Sequence, residues 1–89
     1  MIQVAHSEAV EFLKSSKVIR LDLYDLAGNL IGVVGWRYYY TETKYGLKST
    51  DETGEVFHIL KDKVKQWGLQ GNTLWAVYEL RVLVYTRIE

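Results

Sequence analysis

Alternation of apolar and polar residues is clearest over residues 17–25. The alternating pairs are Ile19-Arg20, Leu21-Asp22 and Leu23-Tyr24. A period of two predicts a half-buried β-strand. Turn-forming residues follow at 25–29, where Gly28 suits the positive-φ position of a bulged hairpin loop. Residues 30–41 are therefore predicted to return as a second strand.

The second predicted strand contains two glycines, Gly32 and Gly35. A glycine inside a strand favours a bulge, a bend or a close backbone contact. The stretch that follows, residues 42–54, is polar and turn-like. Within it, residues 45–47 are a candidate for a short third strand.

Two segments show apolar residues at helical spacing. In residues 2–13 the stripe consists of Ile2, Ala5, Ala9, Val10 and Leu13. The alternative is a shorter helix with Ser7 as its N-cap, which leaves residues 2–4 as a small strand. In residues 55–67 the stripe consists of Val56, Leu60, Val64 and Trp67. Gly68 is a suitable C-terminal cap for this second helix.

The last segment, residues 73–88, is rich in β-branched and aromatic residues, which favour a strand. A strand of that length would span roughly 53 Å at about 3.3 Å per residue, whereas a domain of this size is about 31 Å across. The segment must therefore bend sharply, or one end must leave the domain and pair with another chain. The second option predicts a homo-oligomer, with a dimer favoured, that shares its sheet. The residues expected at that contact are Leu83, Val84 and Tyr85.

Together these elements predict an α+β fold, with an antiparallel three- to four-stranded sheet and two helices packed on one face. The expected order is α-β-β-α-β, or the ferredoxin-like βαββαβ if residues 2–4 form a strand. A chain of 89 residues fits a single α+β domain that covers 1–89.

The charge balance argues against a strongly basic surface. Eleven Lys and Arg residues balance eleven Asp and Glu residues, whereas most nucleic-acid binders carry a clear basic excess. The balance is still compatible with a local basic patch. There is no cysteine, so disulfides and thiolate chemistry are excluded. We expect no signal peptide and no membrane span, because no long apolar stretch occurs, and we expect a cytoplasmic location.

Residues 36–45, WRYYYTETKY, form an aromatic and basic run. Neighbouring side chains of a strand point to opposite faces, so Trp36, Tyr38 and Tyr40 should share one side and Arg37, Tyr39 and Thr41 the other. An open face of this kind can anchor a protein partner, or it can stack nucleobases beside phosphate-binding cations. The simpler interpretation is that the rings fill the core and a dimer contact. The candidate binding residues are Trp36, Arg37, Tyr38, Tyr39, Tyr40, Lys44 and Tyr45.

Residues that could carry catalysis or bind a metal are sparse. His58 and Asp62 are spaced for an ion pair on one helical face. A zinc site needs further ligands at recognisable spacing, which the sequence does not contain. The glycines do not form a phosphate loop. We therefore expect no cofactor, no metal and no enzymatic activity.

The sequence thus predicts a small non-enzymatic interaction protein that self-associates through its sheet. A protein partner is favoured, and no membrane or small-molecule partner is expected. The alternative is a nucleic-acid-binding protein in which residues 38–40 stack on bases while Arg37 and Lys44 neutralise phosphates. The lysine cluster at residues 61–65 would strengthen this alternative if it lay beside Arg37 and Lys44. Nucleic-acid affinity should fall steeply with added salt, whereas an apolar interface should respond little.

Overall fold

The computed structural model describes residues 2–16, 19–35 and 37–88. In these residues the elements are β1 (Ile2–Val4), α1 (His6–Ser15), β2 (Ile19–Asp25), β3 (Leu30–Gly35), β4 (Tyr39–Thr43), β5 (Gly46–Thr50), β6 (Val56–Leu60), a 3-10 turn (Lys61–Lys63), β7 (Val64–Gln70), β8 (Thr73–Tyr78) and β9 (Arg81–Arg87). The strands make two antiparallel sheets. The large sheet has six strands in the order β1-β7-β8-β9-β2-β3, and the small sheet has three in the order β4-β5-β6.

The predicted α+β fold is wrong. The described residues are mostly β-strand, in two antiparallel sheets, and they contain one short α-helix instead of two helices packed on a single sheet. The described residues follow neither the α-β-β-α-β order nor the ferredoxin-like order. The reason is that residues 30–41, 55–67 and 73–88, each predicted to form a single strand or helix, each contain two or more elements.

The core lies between the large sheet on one side and α1 with the small sheet on the other. Side chains alternate between the faces of each strand, and the cross-strand register therefore places whole rows on one face. Two rows of the large sheet face the core: Leu69, Leu74, Tyr85 and Leu21, then Trp67, Ala76, Leu83 and Leu23. Opposite them, the residues packed in the same core are Ala9, Val10, Phe12, Leu13, Tyr38, Tyr40, Leu47 and Ile59.

The predicted strand over residues 30–41 is divided between the two sheets. β3 ends at Gly35, and β4 begins at Tyr39 in the small sheet. The chain turns between them at Arg37, whose φ of 59° is in the left-handed region and whose backbone N–H donates to the carbonyl of Ile19 at 3.0 Å. The irregularity expected from Gly32 and Gly35 is confirmed, because the ladder between β2 and β3 shifts register twice.

The predicted helix over residues 55–67 is also wrong. These residues form β6, the 3-10 turn and the first part of β7. In β6, Ile59 faces the core, whereas Val56 and Leu60 face outwards and are 49% and 38% exposed. The stripe with helical spacing therefore combines outward-facing residues of β6 with Val64 and Trp67 of β7, which pack in the core. β-Branched and aromatic side chains favour the strand, and pairing with β5 completes its hydrogen bonds.

The predicted long strand over residues 73–88 is a hairpin. β8 and β9 pair with each other, and the residues between them are Glu79 and Leu80. The sharp bend is thus the option that the chain adopts. β9 is paired with β8 on one side and with β2 on the other, so it is not an edge at which a second copy could add. Leu83 and Tyr85 are buried in the core, and Val84 lies on the outer face of the sheet.

The first segment follows the shorter-helix alternative. β1 pairs with β7, and α1 begins at His6 with Ala5, and not Ser7, as its N-cap. The strand predicted over residues 17–25 is confirmed for Ile19–Asp25, while Lys17 and Val18 lie outside the described residues. Among the residues that the structure describes, no helix is long and apolar enough to cross a membrane.

Two hairpin loops share the pattern Asp-x-x-Gly. In the β2–β3 loop, Asp25 Oδ1 accepts from the backbone N–H groups of Ala27 and Asn29, at 3.0 and 2.8 Å. In the β5–β6 loop, Asp51 Oδ1 accepts from those of Thr53 and Glu55, both at 2.9 Å. The glycines that follow, Gly28 and Gly54, have φ near +90° and +89°. The bulged loop predicted at Gly28 is therefore confirmed, and the second loop repeats it.

Candidate functional site

The aromatic run is divided between the core and the surface. Tyr38 and Tyr40 are only 3% and 9% exposed, whereas Tyr39 is 65% exposed. The alternation predicted for this run is thus confirmed in the residues that the structure describes, and Trp36 lies outside them. Of the candidate binding residues, the exposed ones are Arg37, Tyr39, Lys44 and Tyr45.

The buried tyrosines belong to a series of ring contacts through the core. The ring centroids are 6.0 Å apart for His6 and Trp67, 6.5 Å for Trp67 and Tyr85, 6.0 Å for Tyr85 and Tyr40, and 6.0 Å for Tyr40 and Tyr38. Burial raises the pKa of Tyr40 and of Tyr38 above the ordinary value. Both are core residues, and stacking of these two rings on a ligand would require the core to open.

The exposed members lie on or beside the outer face of the small sheet. Cross-strand register places Tyr39 with Thr50 and Val56 in one row, Thr41 with Lys48 and His58 in the next, and Thr43 with Gly46 and Leu60 in the third. We call this surface the platform face. It consists of Tyr39, Thr41, Thr43, Lys48, Thr50, Val56, His58 and Leu60.

Cations surround the aromatic rings of the platform face. Lys48 lies in its central row beside His58. At one end, the two-residue turn of the β4–β5 hairpin carries Lys44, whose Nζ lies 5.6 Å from the centroid of the Tyr45 ring. At the other end, Arg37 pairs with Glu52 at 3.6 Å. Both side chains of this pair are more than half exposed, so the pair adds little stability. Arg37 can therefore exchange Glu52 for another anion.

Sequence reasoning missed Val56 and His58 as members of this surface. The missing information was that residues 56–60 form a strand beside β5, which places alternate side chains next to Lys48. A local signal for that hairpin exists, because residues 51–54 repeat the Asp-x-x-Gly pattern of residues 25–28.

The lysine cluster at residues 61–65 does not extend the platform face. The backbone N–H of Lys61 donates to the carbonyl of Tyr45 at 2.9 Å, so the cluster begins beside that turn. The charge of Lys61 acts on His6, which lies away from the platform face. The pKa of His6 is lowered mainly by burial and, to a smaller extent, by the positive charge of Lys61. Lys63 pairs with Glu79 at 3.2 Å, on the β8–β9 turn.

A second surface is the outer face of the large sheet. One row of this face contains Trp75, Val84, Asp22 and Val33, and another contains Val77, Val82, Tyr24 and Leu30. Asp22 in the first row pairs with Arg20 at 3.0 Å. The indole of Trp75 lies against Gly68, where any Cβ would overlap the ring. Towards β3 the face becomes open, since Leu30, Ile31 and Val33 are 54%, 54% and 51% exposed. We call these three residues the apolar edge.

An open groove lies between α1 and the β7–β8 turn, with Glu8, Glu11 and Leu69 in its lining. Arg87, at the same groove, is already engaged, because it stacks on the Phe12 ring at 4.3 Å and donates to Ser16 Oγ at 2.8 Å. The residues that the structure describes contain no group of three or more His, Asp or Glu side chains able to hold a metal ion.

A scan against models of protein families, a search of the curated proteins and a search of the solved structures found no match to this chain. The platform face and the apolar edge are therefore the features from which a function can be inferred.

Proposed function

We propose that this chain is a non-enzymatic interaction protein that assembles with a second copy of itself through β3, an edge of the large sheet. The observation that carries the proposal is the character of that edge. All three residues of the apolar edge are more than half exposed. The strand, LIGVVG, contains no charged residue and no proline. Exposed apolar edge strands are templates for pairing with another chain, and monomeric proteins usually protect them with charges or proline.

An identical strand is the partner that this edge favours. When two copies pair about a two-fold axis, equivalent residues approach each other across the axis, and a charged residue near the centre would face its own like charge. β3 has no such charge. The other edges are less suited to pairing, because β1 has only three residues, β4 contains Glu42 and β6 contains His58.

The outer face of the large sheet supplies further contact area. A stable interface buries about 800 Å² on each partner, which is more than the edge of one six-residue strand provides. Leu30 continues across the sheet into the half-buried residues Tyr24 and Val82. Val33 is separated from Val84 by Asp22, whose charge is paired with that of Arg20 at 3.0 Å. A second copy that pairs with β3 and also packs against this face would bury the apolar edge and the outer face together. Pairing through the edge alone would give a weaker, concentration-dependent dimer.

The solution mass tests this assembly. Light scattering across a range of protein concentrations should give a mass approaching twice 10.4 kDa. Val33→Lys should return the mass to that of one chain, because it places a charge on each side of the two-fold axis. Val56→Lys is the matched control: Val56 is 49% exposed and Val33 51%, and both belong to edge strands, but of different sheets. Val56→Lys should leave the mass unchanged.

Three results would contradict the proposal. The first is a wild-type protein that is monomeric at every concentration. The second is a dimer that Val33→Lys leaves intact. The third is a dimer that Val56→Lys disrupts and Val33→Lys does not, which would move the contact to the small sheet. Circular dichroism of each variant establishes that a change in mass does not reflect unfolding.

A further inference from the structure

The platform face combines exposed rings with cations, on a sheet that the proposed assembly does not use. We infer that this face binds single-stranded nucleic acid, with its rings stacked on bases and its cations against phosphates. The inference does not depend on assembly through β3, because the two surfaces belong to different sheets.

The rings available for stacking are Tyr39 and His58 on the platform face and Tyr45 beside it, in the β4–β5 turn. Tyr39 and Tyr45 are 65% and 68% exposed and lie towards opposite ends of the small sheet. The ring of His58 is exposed between them, in the central row. The turn that carries Tyr45 is fixed by the hydrogen bond from the Lys61 backbone N–H. Exposed rings of this kind can stack on any base, because every base presents a π-face.

The cations are placed where a phosphate backbone could meet them. Lys48 is exposed at the centre of the platform face and takes part in none of the ion pairs found among the described residues. Lys44 lies at the Tyr45 end. The platform face itself carries no carboxylate, since Glu42 belongs to the row of Leu47 and Ile59 on the opposite face. Carboxylates lie beyond both ends of the face, at Glu52 in the β5–β6 loop and at Asp62 in the 3-10 turn after β6, so the strand should cross the face at Lys48, between Tyr39 and Tyr45.

Other occupants fit the platform face less well. Its two apolar residues, Val56 and Leu60, are separated along the strand by His58, so it offers no continuous apolar area for a protein. Duplex DNA is bound mainly through many phosphate contacts, whereas this chain has zero net charge. A single strand is the polyanion that can use the rings and a few cations together.

Fluorescence anisotropy with a labelled oligothymidylate of about 15 nucleotides tests the inference. With about three phosphate contacts, the slope of log K against log salt should be about −2, so affinity should fall roughly 20-fold between about 50 and 200 mM salt. Tyr39→Ala should weaken binding at least fivefold, as expected for about one lost stacking contact. Tyr39→Phe should bind like the wild type, because it retains the ring.

A charge-matched pair of variants locates the site. Lys48→Glu should weaken binding at least fivefold, whereas Lys14→Glu makes the same charge change on α1 and should have little effect. Equal losses in both variants would overturn the site, and an absence of binding at low salt would overturn the inference. Competition by polyglutamate as effective as that by the oligonucleotide would also overturn it, in favour of an acidic polypeptide. None of these outcomes bears on the solution mass, so this inference and the proposed assembly can fail separately.

Discussion

At the scale of single residues, the core contains aromatic rings whose hydroxyl groups are not all satisfied. Tyr85 is completely buried. Its hydroxyl, like that of Tyr40, has no hydrogen-bond partner within the part of the chain that the structure describes. Burial raises the pKa of both tyrosines, so both hydroxyls stay protonated at neutral pH. A buried hydroxyl without a partner costs about 1–3 kcal/mol of stability.

Tyr85→Phe is therefore expected to raise the free energy of unfolding by about 1 kcal/mol, because it removes the unpaired hydroxyl and keeps the ring contacts. Urea denaturation measures the change. Tyr78→Phe is the control, since the Tyr78 hydroxyl accepts from the backbone N–H of Leu60 at 3.4 Å, and its loss should lower stability slightly. If Tyr85→Phe destabilises the protein as well, its hydroxyl is hydrogen-bonded in solution, for example by a buried water molecule.

The alternation along a strand predicts which residues share a face, but not which face is buried. It correctly grouped Tyr38 with Tyr40, and Tyr39 with Thr41. The choice between the two faces depends on contacts distant in sequence, namely those of Tyr40 with Tyr85 and of the strand with α1. The whole aromatic run was therefore predicted to form a binding surface, although only some of its residues are exposed.

At the scale of elements, the predictions succeeded where turns carry local signals. The loop at residues 25–29 contains turn-forming residues and was predicted. The breaks at Lys61–Lys63 and at Glu79-Leu80 contain no Gly, Asn or Pro, so the flanking strands were read as one element. Glu79 adopts a φ of 57°, a conformation that a two-residue hairpin turn requires and that glycine would adopt more easily.

The Asp-x-x-Gly loops make the stability of the hairpins dependent on pH. The hydrogen bond from Thr53 Oγ1, at 2.7 Å, is the main reason that the pKa of Asp51 is lowered, with the backbone N–H groups of Glu55 and Thr53 adding to it. A carboxyl whose pKa is lower in the folded state contributes stability above its unfolded value, which is near 3.8. That contribution is lost as the pH falls through the folded value.

Asp51→Ala is expected to lower the urea midpoint at pH 7, and the difference from the wild type should shrink as the pH falls below about 4. Chemical denaturation at a series of pH values measures this convergence. Glu52→Ala is the control at the next position, because Glu52 has only an exposed pairing with Arg37, and it should change the midpoint little at any pH. A constant difference between Asp51→Ala and the wild type across that range would show that the charged carboxylate is not the source of the stability.

At the scale of the whole molecule, a chain of zero net charge carries its uncharged apolar edge and the cations of the platform face on two different sheets. The apolar edge lies on β3, at one end of the large sheet, and the platform face lies on the small sheet. The net charge of the whole chain averages over both surfaces, and for this reason it argues against nucleic-acid binding. The fold keeps them apart, so one surface can join two copies while the other binds a ligand.

If both proposals hold, a dimer joined through β3 carries two platform faces. An oligonucleotide of about 40 nucleotides could reach both, and the second contact would then form within one complex at a high effective concentration. We expect the wild type to bind it at least tenfold more tightly than an oligonucleotide of about 10 nucleotides. Val33→Lys should remove this gain and leave the affinity for the short oligonucleotide unchanged.

Leu80→Lys is the control for that experiment. It adds the same charge at a residue that is 74% exposed on the β8–β9 turn, and it should keep the gain because it leaves β3 unaltered. Equal gains in the wild type and in Val33→Lys would mean that long strands bind better only because they offer more sites to a single platform face. If Val33→Lys and Leu80→Lys both lose the gain in affinity for the longer oligonucleotide, the added charge, and not the loss of assembly, is the cause. Only loss in Val33→Lys with retention in Leu80→Lys links assembly through β3 to binding at the platform face.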